Sequence, residues 1–272
     1  IRDRREKYCE YLKNRMSKTS CELYIKTFDR VKLHSLRKQP QIILAGKRQR
    51  LEYADEILYL PYHPNIEIAE RFCRENNKNL LAWDFTLIAA EKLKRQIFQV
   101  LHYFIENAAN SERMHAQLGG LARLYDFCIL EQIEDLEKLE IDQIERFQKT
   151  FTTEYQRHYY AGVTYWCGRA LFMEAEEIHW DANVWYMERM HLQPERIDPA
   201  APIMSLSFAE VTNKENRKLL QKYLRYGIGI ANLSISSLRT EFLVVRKFLG
   251  DMNQPETENI CMVTCLLYTS DA

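Results

Sequence analysis

Between Ile235 and Met252 the apolar residues Ile235, Leu238, Phe242, Val245, Leu249 and Met252 follow one another at intervals of 3, 4, 3, 4 and 3. That spacing keeps one stripe of a 3.6-residue helix apolar and leaves the rest polar, so the segment predicts an amphipathic helix that needs a neighbour to cover it. Leu93, Ile97, Val100, Leu101, Phe104, Ile105 and Ala108 repeat the pattern in a helix starting after Thr86 and ending near Asn110. Leu118, Leu121, Leu124, Tyr125 and Cys128 repeat it in a helix over 113–131, and Ile144 and Phe147 in one over 141–151. These three are expected to pack as a small bundle. The whole chain of 272 residues has only 8 Gly and 7 Pro, too few turn residues for an all-β fold. The expected fold class is all-α, built from helical bundles.

Other segments are read the same way. Residues 5–38 predict one or two helices, with Tyr8, Tyr11, Leu12, Leu23, Tyr24 and Phe28 at helical spacings, broken by Pro40, and 41–60 is ambiguous. Asn65 is placed to cap a short helix holding Ile68, Ala69 and Phe72. The aromatic, acidic stretch 155–192 predicts two helices ending before Pro194, and Pro194, Pro199 and Pro202 a stiff linker. Thr212-x-x-Glu215 matches a capping box for a helix to about Tyr226, with Ser207-x-x-Glu210 as a rival start. Gly227 and Gly229 are expected to stop that helix, and Ser234 to cap the next. The expected segmentation is a basic N-terminal region over 5–82, a first helical domain over 83–152, an aromatic segment and linker over 153–205, and a last helical domain over 206–264. Ile1–Arg4 and Cys265–Ala272 resemble translated sequencing adaptor, which makes about 5–264 the expected natural span, part of a longer chain.

The formal charge is zero, with 38 basic and 38 acidic residues, yet it is unevenly distributed. Residues 5–50 carry 13 Lys or Arg against 4 Asp or Glu, 121–210 carry 8 against 17, and 211–250 carry 8 against 2. The last segment is where an anionic partner is expected. Lys214, Lys218, Lys222 and Arg225, spaced 4, 4 and 3, line one helix stripe opposite Leu220 and Tyr223. On the following helix Arg239 and Arg246 lie seven apart with Lys247 beside them, and Ser234, Ser236 and Ser237 stand at its N-terminus, where unbonded N–H groups attract phosphate. The set suits a nucleic-acid backbone; a solvated helix face is the plain alternative.

No apolar run approaches the roughly 18 residues of a membrane span, and the seven cysteines form no Cys-x-x-Cys pair. A cytoplasmic bacterial protein with reduced thiols, no cofactor and no metal is expected. Glu176-x-x-His179 and Glu188-x-x-His191 match the pattern by which carboxylate-bridged di-iron bundles hold metal. Twelve residues apart on one helix they would stand about 18 Å and roughly 120° apart, whereas that site needs facing helices. No Gly-rich phosphate loop and no Gly-x-Ser-x-Gly occurs, and Cys167 and His158 have no supporting context. A non-catalytic helical scaffold is the third class. A weak internal repeat sets Leu121, Leu124 and Phe127, before Leu136 and Leu139, against Phe242, Val245 and Phe248, before Ile260 and Val263.

Leu233-Ser-Ile-Ser-Ser237-Leu238, Phe242, Arg246-Lys-Phe248-Leu249 and Asn259-Ile-Cys-Met-Val263-Thr264 together resemble the core-binding domain of tyrosine recombinases, the integrase and transposase family. Ile178–Tyr186 through Asn216 is similar to the long N-terminal regions of transposon-borne members, and 92–151 to an extra SAM-like helical domain. The resemblance implies a clamp around double-stranded DNA, self-association on it through the full-length protein, and backbone contacts from Ser234, Ser237 and Arg246. It implies no catalytic residue within this chain, because the family's strand-cleaving tyrosine lies in a following domain.

Overall fold

The computed structural model describes residues 2–37, 53–63, 65–75, 80–197 and 204–251. Residues 38–52 with Pro40, Pro199, Pro202 and 252–272 lie outside them. So do the Asn259–Thr264 part of the resemblance, the second half of the internal repeat and the C-terminal adaptor-like stretch. The chain is mainly helical, and among the described residues the exceptions to an all-α fold are two small two-stranded antiparallel sheets. No described helix is long and apolar enough to cross a membrane. The chain divides into two compact units, one from 1–134 with 158–163, the other from 135–157 with 164–272.

In the first unit α1 (Arg2–Lys13) packs on α2 (Lys18–Arg37), and a buried ion pair joins them. Arg5 Nε donates to Asp29 Oδ1 at 2.9 Å and a terminal nitrogen to Oδ2 at 3.0 Å, while the Tyr62 hydroxyl donates to the same Oδ1 at 2.6 Å. Leu12 is buried, but Tyr11, Leu23 and Tyr24 point to solvent. Part of the ambiguous stretch is a strand: β1 (Ile57–Tyr59) pairs with β2 (Ala82–Asp84), and Trp83 and Phe85 enter the core. Asn65 caps α3 (Ile66–Arg74) as expected, its side chain accepting the N–H of Glu67 and Ile68, and Ile68, Ala69 and Phe72 are buried.

The central pair is α4 (Glu91–Asn107) and α5 (Ser111–Leu130). All seven predicted stripe positions from Leu93 to Ala108 are buried, as are all five from Leu118 to Cys128. Asn110 caps α5 by accepting the Arg113 N–H at 2.8 Å, so the chain turns where the first periodicity stops.

The second unit holds α6 (Ile141–Lys149), whereas α4 and α5, its expected bundle partners, belong to the first. Phe147 is buried, Ile144 only partly. After α7 (Glu154–Tyr160) and α8 (Val163–Glu174), the expected helix to Pro194 is absent. Val184–Tyr186 is β3 and pairs with β4 (Ser205–Ser207), matching Val184 to Ser207 and Trp185 to Leu206. A β-branched residue followed by two aromatics favours a strand here, and Trp185 and Tyr186 are both fully buried, which requires cover on both faces. Ser207 therefore ends a strand and starts no helix. Rings of Trp180, Trp185, Phe208 and Phe242 follow edge to face at centroid distances of 4.9, 4.8 and 5.1 Å. They form the core on which α9 (Lys214–Gly229) and α10 (Ile235–Asp251) lie.

Candidate nucleic-acid interface

The cap of α9 is Asn213 and not Thr212: its side-chain oxygen accepts the N–H of Glu215 at 3.0 Å and of Asn216 at 3.1 Å. From there Leu220, Leu224 and Ile228 face Ile235, Leu238 and Phe242 of α10 in one buried seam. Gly227 does not stop the helix. It sits inside the last turn, where an added Cβ would lie 2.6 Å from a methyl of Leu238, so the missing side chain is what lets the two helices close. The helix ends at Gly229, and the chain reverses through Asn232, which has a positive φ of 50° that Asn tolerates. Arg196 ties down this turn, donating to the Leu233 carbonyl at 2.9 Å and to the Asn232 side chain at 3.3 Å.

Lys214, Lys218, Lys222 and Arg225 are all exposed on α9, and their 4, 4, 3 spacing sets them on one stripe of it. Lys218 pairs with Glu215 at 2.9 Å and holds that carboxyl below its ordinary range, but both side chains are exposed and the pair is screened. The Arg225 guanidinium stands 5.0 Å above the Trp180 ring. Tyr223, expected on the face opposite this stripe, is 46% exposed, and its hydroxyl donates to Glu241 of α10. On α10, Ser234, Ser237, Arg239 and Lys247 are exposed. Ser234 immediately precedes the helix, and its carbonyl accepts the Leu238 N–H at 3.0 Å.

Arg246 is placed differently. It is half-buried, its Nε lies 3.2 Å from a Glu210 carboxylate oxygen, another nitrogen reaches the Ser207 carbonyl at 3.4 Å, and the guanidinium covers the Phe242 ring at 5.4 Å. Its ion pair with Glu210 points into the unit, although the buried Nε makes no hydrogen bond. Sequence reasoning missed Arg217, the cation with the most partners on α9. Buried to 7% exposure, it donates two charge-assisted bonds to Glu140 at 2.9 and 2.6 Å, one to Asn183 Oδ1 at 2.8 Å and one to the Val211 carbonyl at 2.9 Å. The signal was available: 217, 220, 221, 224 and 228 fall on one helix face, so a cation at 217 faces inward and must find an acid.

Neither Glu-x-x-His segment is α-helical. His179 lies in a loop with Nδ1 2.8 Å from Glu137, and Glu188 lies in a 3-10 turn with an oxygen 2.5 Å from Arg169. Among the described residues no group of three or more His, Cys, Asp or Glu could hold a metal ion. Burial pushes the Cys128 thiol up to about 12, which keeps it protonated and unreactive at neutral pH.

No protein-family model matches the chain, and neither a curated protein nor a solved structure does. The chemistry open to the α9 and α10 surface is therefore read from its own residues. Exposed cations on a capped helix can neutralise a regularly spaced polyanion.

Proposed function

We propose that this chain is the DNA-binding N-terminal portion of a tyrosine recombinase, with 206–264 as part of its core-binding SAM-like region and catalysis supplied by a domain that follows. The stripe Lys214, Lys218, Lys222 and Arg225 lies along the phosphate backbone of double-stranded DNA, flanked by Arg239 and Lys247, with Ser234 and Ser237 donating to phosphate. The single observation that carries this reading is that all four stripe cations point to solvent from one face of a helix whose other face is anchored. From first to last the stripe spans roughly 16 Å, the axial length over which one DNA strand places about five phosphates. Contacts of this kind position a protein on duplex without reading its sequence.

Arg246 contributes less to that surface than its place in the family motif implies, since it is engaged with Glu210 and Ser207. Exposed Tyr226, Val244 and Phe248 on the same two helices, with Ile230 just past the end of α9, favour, as a second reading, a non-catalytic helical accessory protein that binds another protein. Fluorescence anisotropy with labelled duplexes of unrelated sequence separates the two. On the DNA reading Lys222→Ala and Arg239→Ala each weaken binding to every duplex by a similar factor. Undetectable duplex binding by the unaltered chain at low salt would overturn it.

A further inference from the structure

The chain from Ser207 to Val211, between β4 and α9, meets two arginines and holds them differently. Phe208, Ala209 and Val211 are buried, and the Val211 N–H donates to the Phe208 carbonyl at 2.9 Å, so the core fixes this turn. Glu210 points outward from it, with its side chain 50% exposed.

At the Val211 end Arg217 is buried and donates to both carboxylate oxygens of Glu140, at 2.9 and 2.6 Å. At the Ser207 end the pairing of Arg246 with Glu210 is looser. The Arg246 Nε lies 3.2 Å from one carboxylate oxygen without making a hydrogen bond, and the bond to the Ser207 carbonyl is long at 3.4 Å. A buried, aligned pair is costly to break, whereas a partly exposed, misaligned one is given up at little cost.

Arg246 also belongs to the basic face of α10. It stands seven residues, two turns, after the exposed Arg239 on the same stripe, with the exposed Lys247 beside it. The Phe242 ring under its guanidinium is a contact that does not depend on Glu210. A carboxylate and a phosphate offer a guanidinium the same thing, negatively charged oxygens, and a phosphate can take the aligned, bidentate geometry that Glu210 lacks here.

We propose that Glu210 is an internal phosphate surrogate that holds Arg246 back from the basic surface. The inference rests on the DNA reading: duplex replaces the Glu210 carboxylate on Arg246 with a backbone phosphate, Glu210 turns to solvent with its charge, and the competition weakens binding. Glu241 serves as the control acid, because it lies on a different face of α10 from Arg246 and accepts the uncharged Tyr223 hydroxyl. Removing it takes a negative charge from the same pair of helices without releasing Arg246.

Duplex binding by the whole chain, followed by fluorescence anisotropy at low salt, tests this. Glu210→Gln is expected to bind at least about threefold more tightly than the unaltered chain, and to gain more than Glu241→Gln does. In an Arg246→Met background, which keeps an aliphatic side chain over Phe242 but no charge, Glu210→Gln should gain no more than Glu241→Gln. Equal gains from the two acid variants, or the same Glu210→Gln gain with and without Arg246, would overturn the proposal and leave the DNA reading in place. If neither the unaltered chain nor Glu210→Gln binds duplex, the DNA reading falls and this inference with it. If Arg246→Met does not fold, the comparison of Glu210→Gln with Glu241→Gln decides alone.

Discussion

The two faces of α9 carry the same kind of residue and use it in opposite ways. On the inner face Arg217 spends its donors on Glu140, Asn183 and Val211, and its charge holds α6, the β3 end and α9 together. On the outer face Lys214, Lys218, Lys222 and Arg225 are exposed, Lys218 in a screened pair with Glu215 and Arg225 over the Trp180 ring, and on the proposed reading their charge serves a partner. The contrast shows that a basic segment is not one quantity. Eight cations lie in 211–250, but Arg217 is buried in the fold and Arg246 is paired with Glu210, which leaves six exposed.

That division makes sharp and separable predictions. Arg217→Ala leaves Glu140 and Asn183 without their partner beside the core and is expected to cost about 3–5 kcal/mol in denaturant unfolding. A loss below about 1 kcal/mol would mean the inner face is not structural after all. Gly227→Ala drives a methyl into Leu238 and is expected to cost about 1–3 kcal/mol, visible as a lower Tm. Asn213→Ala removes the α9 cap and should cost about 1 kcal/mol, whereas Thr212→Ala should cost much less, which distinguishes the observed cap from the one the capping-box pattern names. At the small end, Lys218→Ala and Lys222→Ala should each change stability by less than about 0.5 kcal/mol while weakening duplex binding. If either unfolds the protein, the outer face is structural and the comparison fails.

How much of this was legible in the sequence depended on whether one local signal decided the outcome. For α4 and α5 a long 3–4 periodicity did, and every named stripe residue from Leu93 to Cys128 is buried. The stretch 176–211 had no such signal. Its aromatics read equally as helix or core, and strand β3 exists only because β4, some twenty residues later, pairs with it. That α6 belongs to a different unit from α4 and α5 was illegible for a similar reason, since helical periodicity says which face is buried but not against which neighbour. The stripe cations were legible from spacing alone. Arg217 was legible in principle, but its acid lies 77 residues away on another helix, beyond the reach of any local pattern. The pairing of Glu210 with Arg246 was out of reach in the same way.

The most direct test of the central claim is the salt dependence of duplex binding by the unaltered chain and by Lys214→Ala/Lys218→Ala/Lys222→Ala. If the stripe lies on the phosphate backbone, the logarithm of affinity falls steeply with the logarithm of salt concentration for the unaltered chain. The triple variant then binds more weakly, with a slope flatter by about three contacts and an unchanged Tm. Equal affinity and equal slope in the two proteins would contradict the account, since the outer face of α9 would then not meet DNA.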